Sequence, residues 1–167
     1  MDIFTEISLH DLSETAKQDE KSFKRLAHKL KNAKKQEVDD FVHAWDAELF
    51  RDTDCLDCGN CCRSLGPMIS DKDIARLAKH LKLKPSQVAE QYLKQDEDGD
   101  YVFKSMPCPF LMDDNYCMVY ESRPKACREY PHTDRVNFKQ ILKLSIKNSK
   151  TCPVVYKVLK ELHKHYM

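Results

Sequence analysis

Glycine is scarce. Only three occur in 167 residues, and neither glycine nor proline occurs before Cys55. Gly59, Gly66 and Gly99 stand apart, and none belongs to a cofactor-binding loop behind a strand. That argues against a glycine-rich loop cradling a nucleotide. An excess of charge of one sign is also missing: 28 Lys and Arg face 27 Asp and Glu. So nothing supports a general nucleic-acid binder or a membrane-surface binder. No stretch approaches the roughly 20 apolar residues of a membrane span. No Ser-His-Asp or paired-carboxylate constellation stands out, and there is no repeat or low-complexity segment. The first residues, Met1 to Glu6, lack a basic region followed by an apolar run. They do not read as a secretory leader, and the expected location is the cytoplasm.

The apolar share is low as well. It is 41%, with 33% charged, against averages of about 45–50% and about 25% in soluble domains. The expected core is thin for the length. A cysteine-held metal would offset that, because binding energy at a structural site is folding energy.

Cysteine is what the chain has in quantity. There are eight, and four fall in the stretch Cys55-Leu56-Asp57-Cys58-Gly59-Asn60-Cys61-Cys62. The others are Cys108, Cys117, Cys127 and Cys152. In a reducing compartment, clustered cysteines read as metal ligands or redox groups. The competing reading is a secreted disulfide scaffold. It fits poorly with the length, the expected long helices and the adjacent Cys61-Cys62. All eight cysteines are therefore candidate metal ligands. Thiolates are soft donors that favour zinc, copper(I) and iron–sulfur clusters.

Two arrangements stay open. Cys55, Cys58 and Cys61 form a C-x2-C-x2-C run that can hold three corners of a cubane (4Fe–4S) cluster, with a remote cysteine as the fourth. Cys108-Pro109 and Cys152-Pro153 are candidates for that partner. Alternatively, four thiolates close a tetrahedral zinc site. In an extended segment neighbouring side chains point to opposite sides. On that reading one of Cys61 and Cys62 serves a second site, bridges two metals or stays a reactive thiol. Four thiolates on either centre leave a net negative charge, which Arg63, Arg123, Lys125 and Arg128 are placed to offset. The seven histidines, His132 nearest the cysteine segments, read as solvent-exposed rather than ligating.

The expected fold is mainly α with two small hairpins (α+β), stapled by metal. Apolar residues at Phe23, Leu26, Leu30 and Ala33, then Val38, Phe41, Trp45 and Leu49, step by three and four. They predict one long helix, or two in line, from about Ser13 to Phe50 that runs into Cys55. Asp11 with Glu14 is a possible capping box at its start. Ser70 to Asp73 opens a second helical region, and Pro85 a third; this pair reads as packing without chemistry. Asp98-Gly99 marks a hairpin. A second hairpin is expected across Asp113-Asp114-Asn115, with Cys117 in its second strand. Lys125 to Arg128 reads as a short helix carrying Cys127, and Phe138 to Ile146 leans helical. Pro153 opens a last helix with Val154, Val155, Val158, Leu159 and Leu162 buried. The expected organisation is an N-terminal helical extension, 1–54, packing on a cysteine-cluster domain, 55–167.

The cysteine spacing combines with Cys108-Pro109-Phe110-Leu111, Cys117-Met118-Val119-Tyr120, Arg123-Pro124-Lys125-Ala126-Cys127-Arg128-Glu129-Tyr130-Pro131 and Cys152-Pro153. Together these resemble the YkgJ-type cysteine-cluster family, a zinc- or iron-chelating domain, over about residues 55 to 153. The resemblance implies a small, mostly bacterial, cytoplasmic metal-binding protein. A related cysteine segment occurs in flagellin lysine methylases. Three functions compete: a metal-binding module for zinc or iron, an iron–sulfur redox protein or methyltransferase-like enzyme, and a thiol sensor using Cys61 and Cys62. The first is favoured, since glycine is too scarce for a cofactor loop. The partner expected is a metal ion.

Overall fold

The computed structural model of the chain describes residues 8–167; the stretch Met1 to Glu6, read above as no secretory leader, lies outside the described residues. The secondary structure is mainly helical, with one two-stranded antiparallel sheet. The chain divides into two compact units. One joins the residues up to Asp54 to Pro131–Met167, and the other is Cys55–Tyr130.

The first unit is built from helices α1 (Leu12–Lys29), α2 (Lys35–Arg51), α8 (Leu142–Asn148) and α9 (Pro153–Tyr166), which follow in the chain order given by their labels. Of the apolar steps read from the sequence, Phe23, Leu26, Leu30, Val38 and Leu49 are each at most 2% exposed, while Ala33, Phe41 and Trp45 are only partly buried against that core; Val42, not among those steps, is fully buried. Of the two expectations, one long helix or two, the structure has two. After a 3-10 turn at Leu30–Asn32, Ala33 and Lys34 are extended, with ψ of 150° and 133°, and the chain redirects. Asp11 is the N-cap of α1, but its side chain makes no capping hydrogen bond; it pairs with His10 instead, at 2.9 Å. The second helix ends at Arg51 rather than running into Cys55. Helix α9 starts with Pro153, and its predicted face is buried, with Val155, Val158, Leu159 and Leu162 at 0% exposure. Polar ties also fasten this unit. The Tyr156 hydroxyl donates to Asp19 Oδ2 at 2.6 Å, joining α9 to α1. Asp39, 3% exposed, accepts the backbone N–H groups of Asn137 and Phe138 at 2.8 and 2.9 Å, capping the 3-10 turn Phe138–Ile141.

The second unit holds α3 (Cys55–Cys58), α4 (Asn60–Ser64), α5 (Asp71–Leu81), α6 (Pro85–Tyr92), β1 (Leu93–Gln95), β2 (Tyr101–Phe103) and α7 (Lys125–Glu129). The Ser70 capping box forms: Ser70 Oγ accepts the Asp73 N–H at 3.3 Å, and the Ser70 N–H donates to Asp73 Oδ2 at 3.0 Å. The Asp98-Gly99 turn closes the β1–β2 hairpin, whose register pairs Leu93 with Phe103 and Gln95 with Tyr101. The second expected hairpin is reduced to a single bridge, Leu111 to Cys117. Its turn is tight, with the Met112 N–H donating to Tyr116 O at 2.9 Å. Exposed tyrosines and methionines on the outer segment leave no second strand face to bury. The core of this unit is Ile69, Leu77, Val88, Phe103, Phe110 and Val119.

Candidate metal centre

Seven of the eight cysteines lie in the second unit, and Cys152 lies in the first. Cys152 packs against the helical core at the mouth of α9. All eight are thiols, not disulfides; Cys55 is exposed and the rest are half-buried.

The first cysteine segment is two short helical turns hinged at Gly59, whose φ of +57° is left-handed. Glycine takes that conformation without the steric cost of a Cβ. The hinge re-aims the chain, so that Cys61 and Cys62 fall in α4. The expected extended geometry does not occur there. Adjacent residues on a helix are about 100° apart rather than opposed, and the Cys61 and Cys62 sulfurs approach to 3.9 Å.

Three further segments are brought to this turn. The Cys108 N–H donates to Cys62 O at 2.8 Å, tying the second cysteine segment to the first through backbone. Cys117 is opposite Leu111 in the bridge, and its carbonyl accepts the Tyr120 N–H at 3.1 Å. Cys127 is in α7, whose start is buttressed by α5. Asp73, 2% exposed, accepts the Lys125 N–H at 2.9 Å and pairs with Arg76. Arg76 in turn donates to Arg123 O at 2.9 Å. Helix α5, read from sequence as packing alone, therefore sets the position of a cysteine-bearing helix. The Ser70–Asp73 motif was visible in the sequence; its second use, on Lys125, was not.

Cys62, Cys108, Cys117 and Cys127 lie within electrostatic reach of one another. Burial pushes the Cys108 thiol up to about 11, and thiolate charge at Cys62 and Cys117 adds to it. Burial pushes Cys127 up to about 12, with Cys108, Cys62 and Cys117 adding. Cys117 is raised by burial and by Cys62. Cys62 goes the other way, held down to about 7 by the hydrogen bond from Cys61 and by the nearby guanidiniums of Arg123 and Arg63, against burial. Cys58 is raised by burial, with the Asn60 backbone and Arg63 opposing. Of the four cations named from sequence, Arg63 and Arg123 act on the thiols. Arg123 is fixed over the Tyr120 ring at 3.6 Å, and its Nε donates to Tyr120 O at 2.9 Å. Lys125 instead pairs with Glu129 at 3.5 Å.

Among the described residues, no three His, Cys, Asp or Glu side chains stand in an arrangement that holds a metal ion. The four thiols share a neighbourhood rather than a coordination sphere. The donor chemistry nonetheless fits zinc or iron: four soft, half-buried sulfurs with two guanidiniums beside them to offset thiolate charge.

Residues 54–153 match the family CxxCxxCC, described as "Putative zinc- or iron-chelating domain". The chain belongs to the CxxCxxCC family. It is also similar to an uncharacterized protein, MJ0661, of Methanocaldococcus jannaschii, with 31% identity over 85 residues. The match covers 49% of this chain and 46% of that protein, so the chain spans about half the length of this curated relative. No solved structure matches. No helix among the described residues is long and apolar enough to cross a membrane. The CxxCxxCC match takes in all eight cysteines, although Cys152 lies in the other compact unit.

Proposed function

We propose that this CxxCxxCC protein binds a zinc or iron ion through Cys62, Cys108, Cys117 and Cys127. The observation that carries the reading is the convergence of these four thiols, from four separate segments, beside Arg63 and Arg123. Such a centre held by four thiolates would cross-link the segments and, if iron, add a redox couple. The chain's own residues do the rest. Asp73 and Arg76 hold the start of α7, the helix that carries Cys127. The backbone bond from Cys108 to Cys62 fixes the central pair. The hydrogen bond from Cys61, and after it the two guanidiniums, favour the thiolate form of Cys62, which makes it the first of the four to lose its proton. Cys152 is outside this set and serves the helical core.

The test is anaerobic purification without added metal, with an absorption spectrum and elemental analysis on the same sample. The expected result is a single zinc or iron ion per chain, lost in Cys127→Ser and kept in Cys55→Ser. Wild-type protein without metal, or Cys127→Ser with full content, would overturn it. Iron with acid-labile sulfide would move the centre to an iron–sulfur cluster, the arrangement that the C-x2-C-x2-C run favours.

A further inference from the structure

Half of the chain's 28 Lys and Arg fall in two stretches that hold no acid. Between Glu20 and Glu37 there are seven, with no Asp or Glu; between Asp134 and Glu161 there are seven, and again no Asp or Glu. Alone, each stretch reads as an ordinary solvated face. The near-equal totals for the whole chain average the segregation away. The first compact unit brings the two stretches together, because α8 packs on α1.

Two contacts fix their alignment. At one end the Lys139 ammonium donates to Lys31 O at 3.0 Å and to Ala33 O. At the other, Lys150 pairs with Glu20 at 2.6 Å. The helices therefore run antiparallel, with the Lys139-to-Lys150 flank of α8 along the Glu20-to-Lys31 flank of α1. Lys143 and Lys147 are four residues apart on α8, between the two ties. Across from them on α1 stand Lys24 and His28, also four apart, and then Lys31. These five side chains are all exposed. Residues at that spacing share a helix face.

Elsewhere in this unit exposed cations have carboxylate partners: Lys17 with Glu14, Lys34 with Glu37, Arg51 with Glu48 and Lys164 with Glu161. Here Lys24 and Lys150 share Glu20. Among the described residues, Lys31, Lys143 and Lys147 pair with no carboxylate. Like charges four apart on a helix oppose its stability, so this face carries self-repulsion that a polyanion would relieve.

We propose that the α1–α8 face is a docking surface for the phosphate backbone of a double-stranded nucleic acid. From Glu20 to Lys31 the helical rise is about 16 Å, a length over which a duplex presents about nine phosphates. The apolar faces of both helices are turned inward at Leu26, Leu30, Leu142 and Ile146, and Leu144 is their one exposed large apolar residue. Neither helix exposes an aromatic ring, so the face has no platform for stacking unpaired bases. A membrane-surface helix needs an outward apolar face, and a protein interface needs central apolar or aromatic anchors. Phosphate contacts need cations alone. The inference is independent of the metal-binding reading.

The test is fluorescence anisotropy of a short labelled DNA duplex titrated with the purified full chain, between roughly 50 and 200 mM salt. The variants are Lys143→Ala with Lys147→Ala, the same two positions changed to Arg, and Lys72→Ala with Lys79→Ala on α5 as the control. Circular dichroism of each confirms folding. The expected result is salt-dependent binding by the wild type. The first variant should bind about tenfold more weakly, with a salt slope smaller by about two. The arginine variant and the control should bind as the wild type does. No binding by the wild type at low salt overturns the proposal, as does wild-type affinity in the first variant. An equal loss in the control would make the binding diffuse rather than a property of this face, and overturns it too. So would tighter binding to the single strand, or binding to phosphatidylserine vesicles without binding to the duplex.

Discussion

The Arg63 guanidinium and the Asn115 side chain meet over the α-carbon of Gly59. Arg63 donates to Asn115 Oδ1, and a Cβ on Gly59 would stand 2.8 Å from that oxygen and closer still to Arg63 Nη1. Asn115 itself is left-handed, with φ of +65°, a conformation its short polar side chain tolerates. One clamp thus holds the first cysteine segment to the turn between Cys108 and Cys117.

Gly59→Ala is therefore expected to destabilise the Cys55–Tyr130 unit. The left-handed backbone alone costs about 1–2 kcal/mol for a residue with a Cβ, and Arg63 must also shift. Asn115→Ala, which loses hydrogen bonds to Arg63 and to Leu56 O, is expected to cost about 1–2 kcal/mol. Urea unfolding followed by circular dichroism checks both. Wild-type midpoints would show that the clamp does not hold.

Asp73→Ala removes a buried carboxylate serving Ser70, Arg76 and the Lys125 N–H at once. Breaking a buried ion pair from one side costs about 3–5 kcal/mol. Solvent at Arg76, whose side chain is 35% exposed, places the expectation at the lower end. The same variant should weaken metal binding, because α7 carries Cys127. Zinc affinity by chelator competition decides it; unchanged affinity would separate α5 from the site.

Cys152 and Cys127 should part company. Cys152→Ser is expected to keep its metal and to lose about 1 kcal/mol of stability, the scale of a polar group placed against a core. Cys127→Ser should lose metal. Elemental analysis of the two, side by side, reads this out, and metal loss in Cys152→Ser would return that residue to the ligand set.

The thiols give the metal-stripped protein a stability with two pH limbs. Cys62 is depressed to about 7 from 9.0, so its contribution is present above 9.0 and is lost as pH falls through about 7. Cys108 and Cys127 are raised to about 11 and about 12, so theirs is present below 9.0 and is lost as pH rises through those values. The thiol contribution peaks near pH 9. With zinc bound, the ligands are thiolates and binding releases their protons, so apparent affinity should climb with pH. Denaturation of chelator-treated protein across the alkaline range, beside zinc affinity at the same pH values, tests both signs. Affinity that fell with pH would exclude thiolate ligation.

Much of the helical framework was legible because it is periodic. Phe23 to Leu49 and Val154 to Leu162 announce their buried faces at helical spacing, and Ser70, Pro85 and Pro153 mark starts that local chemistry alone determines. The break at Ala33–Lys34 left one trace, the five-residue step from Ala33 to Val38, but no glycine or proline marks it, so the spacing left one helix or two open. The second hairpin failed for a related reason: alternation near Tyr116 to Tyr120 looks like a strand, yet no neighbouring strand buries one face.

The eight thiols, their soft-ligand chemistry and the family all follow from residue identity and spacing, which the linear chain carries in full. The grouping of Cys62 with Cys108, Cys117 and Cys127 depends on a backbone hydrogen bond between residues 46 positions apart and on Asp73 reaching across to α7. The 3.9 Å approach of Cys61 to Cys62 depends on Gly59 turning an expected extended segment into a helical one. Spacing along a chain sets which ligands exist. Which of them share a place is a matter of distance, and packing alone sets distance between segments remote in sequence.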